Sequence, residues 1–198
     1  DFESLGGNVM RFGTDDVDFL NFDSTNSFIN SLSNLDTIDI CVNNAGINRI
    51  DYLEDISIED YDEILRVNLY APFLVSQAVS KVMKKNKYGR IINVSSIWGT
   101  KTKEQRTSYT TSKAGLIGMT KTMSVELAKY NILVNSVSPG FTSTELTKSI
   151  LSEGDIKQLS EQVPLGRFAS VDEISKVVLF LCSDLNTYIN GQDIKIDG

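Results

Sequence analysis

A phenol and an amine set four residues apart, Tyr109 and Lys113, are the side chains of this sequence best placed to move a proton. They stand in the run Tyr109-Thr-Thr-Ser-Lys113-Ala-Gly. On a helix, positions i and i+4 share a face, one turn above the other. An ammonium beside a phenol favours the phenolate and draws the tyrosine pKa down from its ordinary value of about 10. Such a group can serve as a general acid or base. Ser96 follows the apolar run Ile91-Ile92-Asn93-Val94-Ser95, where a buried strand meets a loop. Its hydroxyl can hydrogen-bond a substrate carbonyl while Tyr109 supplies the proton. A Tyr-x-x-x-Lys pair alone more often means one ring on a core and one solvated amine. The added weight comes from the serine and from the other motifs of the chain.

Histidine is absent from all 198 residues. That excludes Ser-His-Asp hydrolases, His-dependent cysteine proteases and His-rich metal sites, and no metal centre is expected. Acid–base chemistry is left to Tyr, Lys, Asp and Glu. Cys41 and Cys182 both lie in apolar runs and read as core residues, which fits a reducing cytoplasm. The net charge is −7 with the signs mixed, so no nucleic-acid partner is expected. No apolar run reaches the roughly 18–20 residues that cross a bilayer, so no membrane partner is expected either. At 41% hydrophobic residues, the sequence suits one domain over residues 1–198 with its own core.

The elements that must position these residues follow from patterning. Gly6-Gly7 reads as a helix stop, Val17 to Phe22 alternates like a strand, and Asp23 or Ser24 is placed to cap a short helix through Leu32. Ile38 to Val42 is a short buried strand running into Asn43-Asn44-Ala45-Gly46. Ser57-Ile-Glu-Asp60 resembles a capping box and opens a long helical stripe through Asn68 and Leu74 to about residue 86. The strand Arg90–Val94, a helix from about 108 to 129 and the strand Ile132–Val137 follow, the last ending at Ser138-Pro139-Gly140. Short helical pieces are expected over 144–162, a helix capped by Ser170 runs to Cys182, and Gln192–Ile196 is the last strand. Alternating short apolar strands and helices predict an α/β fold, a doubly wound parallel sheet with helices on both faces. Three polar motifs, at Asn44, Ser96 and Pro139, then fall at the carboxyl ends of strands, where such sheets bind ligands.

With these motifs in order, the sequence resembles the short-chain dehydrogenase/reductase family. Asn43-Asn44-Ala45-Gly46, Asn68 in Val67-Asn-Leu69, Ser96, Tyr109-x-x-x-Lys113, Pro139-Gly140 and the closing Gly191-Gln192 and Asp197-Gly198 carry the likeness, from about residue 17 onward. The nearest branch is that of the 3-oxoacyl-[acyl-carrier-protein] reductases. The resemblance implies a Rossmann-like fold, NAD or NADP as cofactor, and hydride transfer between nicotinamide and a ketone or secondary alcohol. It implies a catalytic tetrad of Asn68, Ser96, Tyr109 and Lys113, with Asn68 holding a water of the proton relay and Lys113 binding the nicotinamide ribose. Asn44, Ala45 and Gly46 would line the adenosine side, and Asn21 and Phe22 would contact adenine. Pro139, Gly140, Thr142 and Thr144 would close over the nicotinamide and phosphates. Trp98 would shape the substrate pocket, or else pack under its own loop. A ketone or acyl-thioester substrate, acyl carrier protein as a further partner, a cytoplasmic location and a homotetramer complete the implied picture.

Two departures from the family pattern shape the remaining expectations. The Gly-rich turn that would hold a pyrophosphate is not found here, and Gly6-Gly7 does not supply its spacing. The N-terminal strand–helix–strand unit is therefore expected to be missing from this sequence. A non-catalytic protein unable to hold a dinucleotide is the competing class, and a sugar or polyol dehydrogenase the competing enzyme. The basic residues expected to meet an acidic carrier are reduced here to Lys87 and Arg90.

Overall fold

Three parallel pairings build the sheet of this protein, which is described by a computed structural model over residues 2–144, 147 and 151–198. Strands β1 (Ile40–Asn43), β2 (Gly89–Val94), β3 (Ile132–Pro139) and β6 (Asp193–Ile196) lie side by side in the order β1-β2-β3-β6. A separate two-stranded pair joins β4 (Thr142–Ser143) to β5 (Ala169–Ser170). The register aligns Asn43 with Asn93, Val94 with Val137 and Pro139 with Ile196, so the carboxyl ends finish close to one level. Among the described residues β1 has a partner on one side only, and Val42 at that edge is exposed.

Helices α1 (Phe22–Ser33), α2 (Ile58–Leu65), α3 (Ala71–Asn86), α4 (Thr107–Leu127), α5 (Glu153–Ser160) and α6 (Val171–Cys182) connect these strands. Successive strand side chains point to opposite faces, so Ile91 and Ile92 of β2 serve two cores. Ile91, Ile132 and Val134 pack with Leu32 of α1, Val79 and Met83 of α3 and Leu127 of α4. Ile92 and Val137 pack with Val178, Leu181 and Cys182 of α6. Helices therefore cover both faces, as the patterning predicts. Burial pushes the Cys182 thiol up to about 12, which fits a core residue.

Gly6 does end a short 3-10 turn over Glu3–Leu5, in the left-handed conformation at φ 84°. Three other expectations fail for local reasons. Val17–Phe22 is not a strand: the Asp18 amide donates to Ser24 Oγ and the Leu20 amide to Asp18 Oδ1, so side chains take bonds a ladder would need. Asn21, not Asp23 or Ser24, caps α1 by accepting from the Ser24 amide. The stripe over 58–86 is broken between α2 and α3 by a π-helical turn, Arg66–Tyr70. Of the helical pieces expected over 144–162, α5 is present, capped by Ser152 and Asp155, while 145, 146 and 148–150 lie outside the described residues.

A row of buried polar side chains ties the sheet to its helices below the carboxyl ends. Asn43 Nδ2 donates to Asn93 Oδ1 at 2.8 Å and to Ser76 Oγ at 3.0 Å, and Asn93 Nδ2 donates to Thr120 Oγ1 at 2.9 Å. β1, β2, α3 and α4 are thereby held in one relative position. Satisfied networks of this kind fix geometry, because losing one partner strands a buried polar group.

Candidate active site

Ser96 lies just past β2, buried to 7% exposure, in extended backbone that starts the short turn Ile97–Gly99. That turn lies hard against α4. A Cβ at Gly99 would stand 3.1 Å from the Lys113 carbonyl and 2.8 Å from Ile117 Cδ1, so a larger residue here would push the turn and α4 apart by a few tenths of an ångström. Ser95 adds a bond across the same junction, its hydroxyl donating to the Lys113 carbonyl at 3.1 Å. The strand end and the first turns of α4 are thus locked together, and Ser96 comes within hydrogen-bonding reach of the Tyr109 phenol.

Lys113 is 3% exposed and pairs with no carboxylate among the described residues. Its Nζ donates to the Val94 carbonyl at 2.8 Å and lies 5.7 Å from the centre of the Tyr109 ring. Burial lowers its pKa from the ordinary 10.5 to about 8. The Tyr109 phenol is instead held above its ordinary range, by burial first, with the Ser96 hydrogen bond and the Arg106 charge pulling the other way. The phenol is thus not depressed as the spacing with Lys113 predicts: burial outweighs the favourable neighbours, and the ammonium, 5.7 Å from the ring centre, donates to the end of β2.

Asn68 sits on the π-helical turn with no exposure. Extra-wide turns of this kind recur at functional sites. Its amide does not repair its own helix. The oxygen accepts from the Ile47 amide at 2.8 Å, while Nδ2 donates to the Ile47 carbonyl at 2.9 Å and to Ser112 Oγ at 3.1 Å. The side chain therefore clamps the loop after β1 to α4. Ser112 is a member of this cluster that spacing alone did not single out; its visible signal is its place next to Lys113 on the inward side of the helix.

The remaining residues group unevenly. Asn44, Ala45 and Gly46 are exposed at the carboxyl end of β1. A Cβ on Gly46 would stand 3.4 Å from Lys113 Nζ and 3.5 Å from Asn68 Oδ1, which brings this loop to the cluster. Pro139 is the last residue of β3, separated from β1 by β2, and the Gly140 amide after it donates to the Ile196 carbonyl at 2.9 Å. Thr142 is in β4, and Thr144 accepts from the Thr147 amide at 3.0 Å. Trp98 packs edge-on to Phe141 of the Pro139–Thr144 segment, with ring centres 6.4 Å apart. Asn21 and Phe22 are not joined to the cluster: the Asn21 side chain is spent on its cap, and the Phe22 ring is 75% exposed. Lys87 and Arg90 lie at the amino ends of the strands, opposite the cluster, and Arg90 is buried with its guanidinium over the Tyr88 ring. One chain does not place them at the entrance of its own site.

These residues fit the nicotinamide half of a dinucleotide. An ammonium has three donors, and Lys113 uses one on Val94, leaving donors for ribose hydroxyls beside the open backbone of 44–46. Among the described residues no Gly-rich turn stands ready for a pyrophosphate.

Residues 16–198 match the family model described as enoyl-(acyl carrier protein) reductase. The chain is 46% identical over 184 residues to a 3-oxoacyl-[acyl-carrier-protein] reductase of Aquifex aeolicus, covering 92% of this chain and 74% of that protein. Among solved structures, a 4-hydroxyisoleucine dehydrogenase complexed with NADH superposes with a TM-score of 0.85 at 33% identity, over 92% of this chain and 76% of the other. A gluconate 5-dehydrogenase of Burkholderia cenocepacia in complex with NADP and tartrate gives 0.84 at 32% identity, over 91% and 72%. A fold with a parallel sheet clothed on both faces, a Ser–Tyr–Lys cluster at its carboxyl ends and these matches have one reading: the chain belongs to the short-chain dehydrogenase/reductase family.

Proposed function

We propose that this protein is an NAD(P)-dependent oxidoreductase that interconverts a ketone and a secondary alcohol, with a 3-oxoacyl thioester as the ketone. The carrying observation is the convergence of Ser96, Tyr109 and Lys113 where β2 meets α4. A nicotinamide dinucleotide, when bound, supplies or accepts the hydride. The chain's own residues handle the oxygen. Ser96 hydrogen-bonds the substrate carbonyl and orients it toward Tyr109. The phenol gives its proton to that oxygen as negative charge develops there. Burial keeps the phenol protonated at neutral pH, which is the form reduction needs. Lys113 presents its unused donors to the nicotinamide ribose. Asn68 holds the loop at 46–47 in place, so Gly46 stays beside Lys113.

The substrate class is supported by the likeness to the Aquifex aeolicus reductase, whose name gives a 3-oxoacyl group on acyl carrier protein. Acyl carrier protein as the donor of the thioester, and a cytoplasmic setting, belong to the same reading; no helix among the described residues is long and apolar enough to cross a membrane. A homotetramer is supported by outward apolar residues near and on the long helices: Tyr70 (53% exposed), Phe73 (48%) and Val125 (79%). A sugar acid is the second reading, favoured by the gluconate 5-dehydrogenase likeness. Parallel assays of the full-length protein with acetoacetyl thioesters and keto-gluconates, with each cofactor, separate the two. Turnover with thioesters at least about tenfold more efficient is expected; preference for the keto sugar acid would replace the first reading with the second.

A further inference from the structure

Arg106 immediately precedes α4, three residues ahead of Tyr109. Residues i and i+3 on a helix start stand on the same side. Gln105 before it takes a positive φ of 63°, a conformation uncommon for residues other than glycine, and this bend delivers Arg106 to the helix start. Its Nε and Nη1 are buried and have no hydrogen-bond partner among the described residues. Buried donors of a half-buried guanidinium that lack an acceptor are costly, and such orphans call for a reason. Burial raises the Tyr109 phenol, while the Ser96 hydroxyl beyond β2 and the Arg106 charge at the start of α4 favour its anion; the Lys113 ammonium lies 5.7 Å from the ring centre and donates to Val94.

We propose that Arg106 stabilises the negative charge left on the Tyr109 oxygen when the phenol gives up its proton, a positioning role that rests on Tyr109 being the proton donor. In that step the phenolic O–H bond breaks, the proton passes to the substrate oxygen, and the electron pair stays on the phenol. Arg106 then has, in the phenolate, the anionic partner it lacks in the resting protein. The mutual Coulomb effect between these two residues, favouring charge on both, points the same way.

The test uses the full-length protein labelled with 13Cζ tyrosine and titrated by NMR without cofactor, the Tyr109 signal being the one missing in Tyr109→Phe. Arg106→Gln is expected to move the Tyr109 midpoint upward by about 1 pH unit, the scale of one opposite charge at close range. Arg106→Lys is expected to fall between wild type and Arg106→Gln, and the kcat–pH profile to move with the midpoint. Arg106→Met, which keeps the stem without the charge, gives the same reading should Arg106→Gln not fold. An unmoved midpoint in a folded, uncharged variant overturns the inference. An unmoved midpoint with a raised KM overturns it too, and assigns the guanidinium to the substrate. Tyr109→Phe that keeps its turnover would instead remove the reading of the site, whatever the titration shows.

Discussion

Tyr109→Phe is expected to lower turnover by at least about 10²-fold, the scale of a lost general acid, with little change in stability. The variant keeps the ring that packs against the site and removes only the hydroxyl, whose neighbour is Ser96. One lost hydrogen bond of this type costs about 1 kcal/mol, which does not unfold a domain. No histidine exists anywhere in the chain to substitute as acid. Turnover measured beside a thermal melt separates the two effects. Near-wild-type turnover would take Tyr109 out of the mechanism, and collapse of the melt would mark it as structural.

Lys113→Met is expected to abolish most turnover and yet make the protein more stable. Below pH 8 the buried ammonium is charged in the folded chain, where burial disfavours it, and charged in the unfolded chain, where water stabilises it. The interval from 10.5 to about 8 corresponds to about 3 kcal/mol of cost at neutral pH. The folded pKa of this base lies below the unfolded one. The cost is therefore full below pH 8, fades between about 8 and 10.5, and is absent above that. Methionine keeps the stem and removes the charge, while the Val94 carbonyl loses its donor at a cost of about 1–2 kcal/mol. The net gain of roughly 1–2 kcal/mol corresponds to a Tm rise of a few degrees at pH 7 that vanishes between about pH 9 and 10 and reverses near pH 10.5, where only the lost Val94 bond remains. A stability–activity conflict of this sign marks a residue kept for function. A variant less stable at pH 7, or a Tm difference independent of pH, would contradict this account of Lys113.

Much of the site was legible because its signals are local. The i, i+4 spacing of Tyr109 and Lys113 requires only that the segment be helical, and α4 spans Thr107–Leu127. Ser96, Asn44 and Pro139 were marked by polar residues directly after apolar runs, and parallel pairing in register brings those ends together. Features that depend on contacts between distant segments were not legible. Asn68 is part of a long apolar stripe, and nothing in it announces a π-helical turn or a pair of bonds to Ile47. Val17–Phe22 alternates like a strand, but its amides are claimed by Asp18 and Ser24. Spacing pairs Lys113 with Tyr109, whereas the burial that raises the phenol, the turn of the ammonium toward Val94 and the buried guanidinium nitrogens of Arg106 are tertiary facts. Lys87 and Arg90 carry the right charge, but strand direction puts them at the opposite end of the sheet.

The most direct test of hydride transfer at this site is isotopic. The full-length protein is incubated with a 3-oxoacyl thioester and nicotinamide cofactor deuterated at the transferring carbon, and the product is read by mass spectrometry and NMR. The account predicts one deuterium on the new carbinol carbon of the 3-hydroxyacyl product, its hydroxyl proton coming from solvent through Tyr109, and no labelled product from Tyr109→Phe on the same timescale. A product formed without deuterium on that carbon, or no turnover of any ketone with either cofactor, would contradict it.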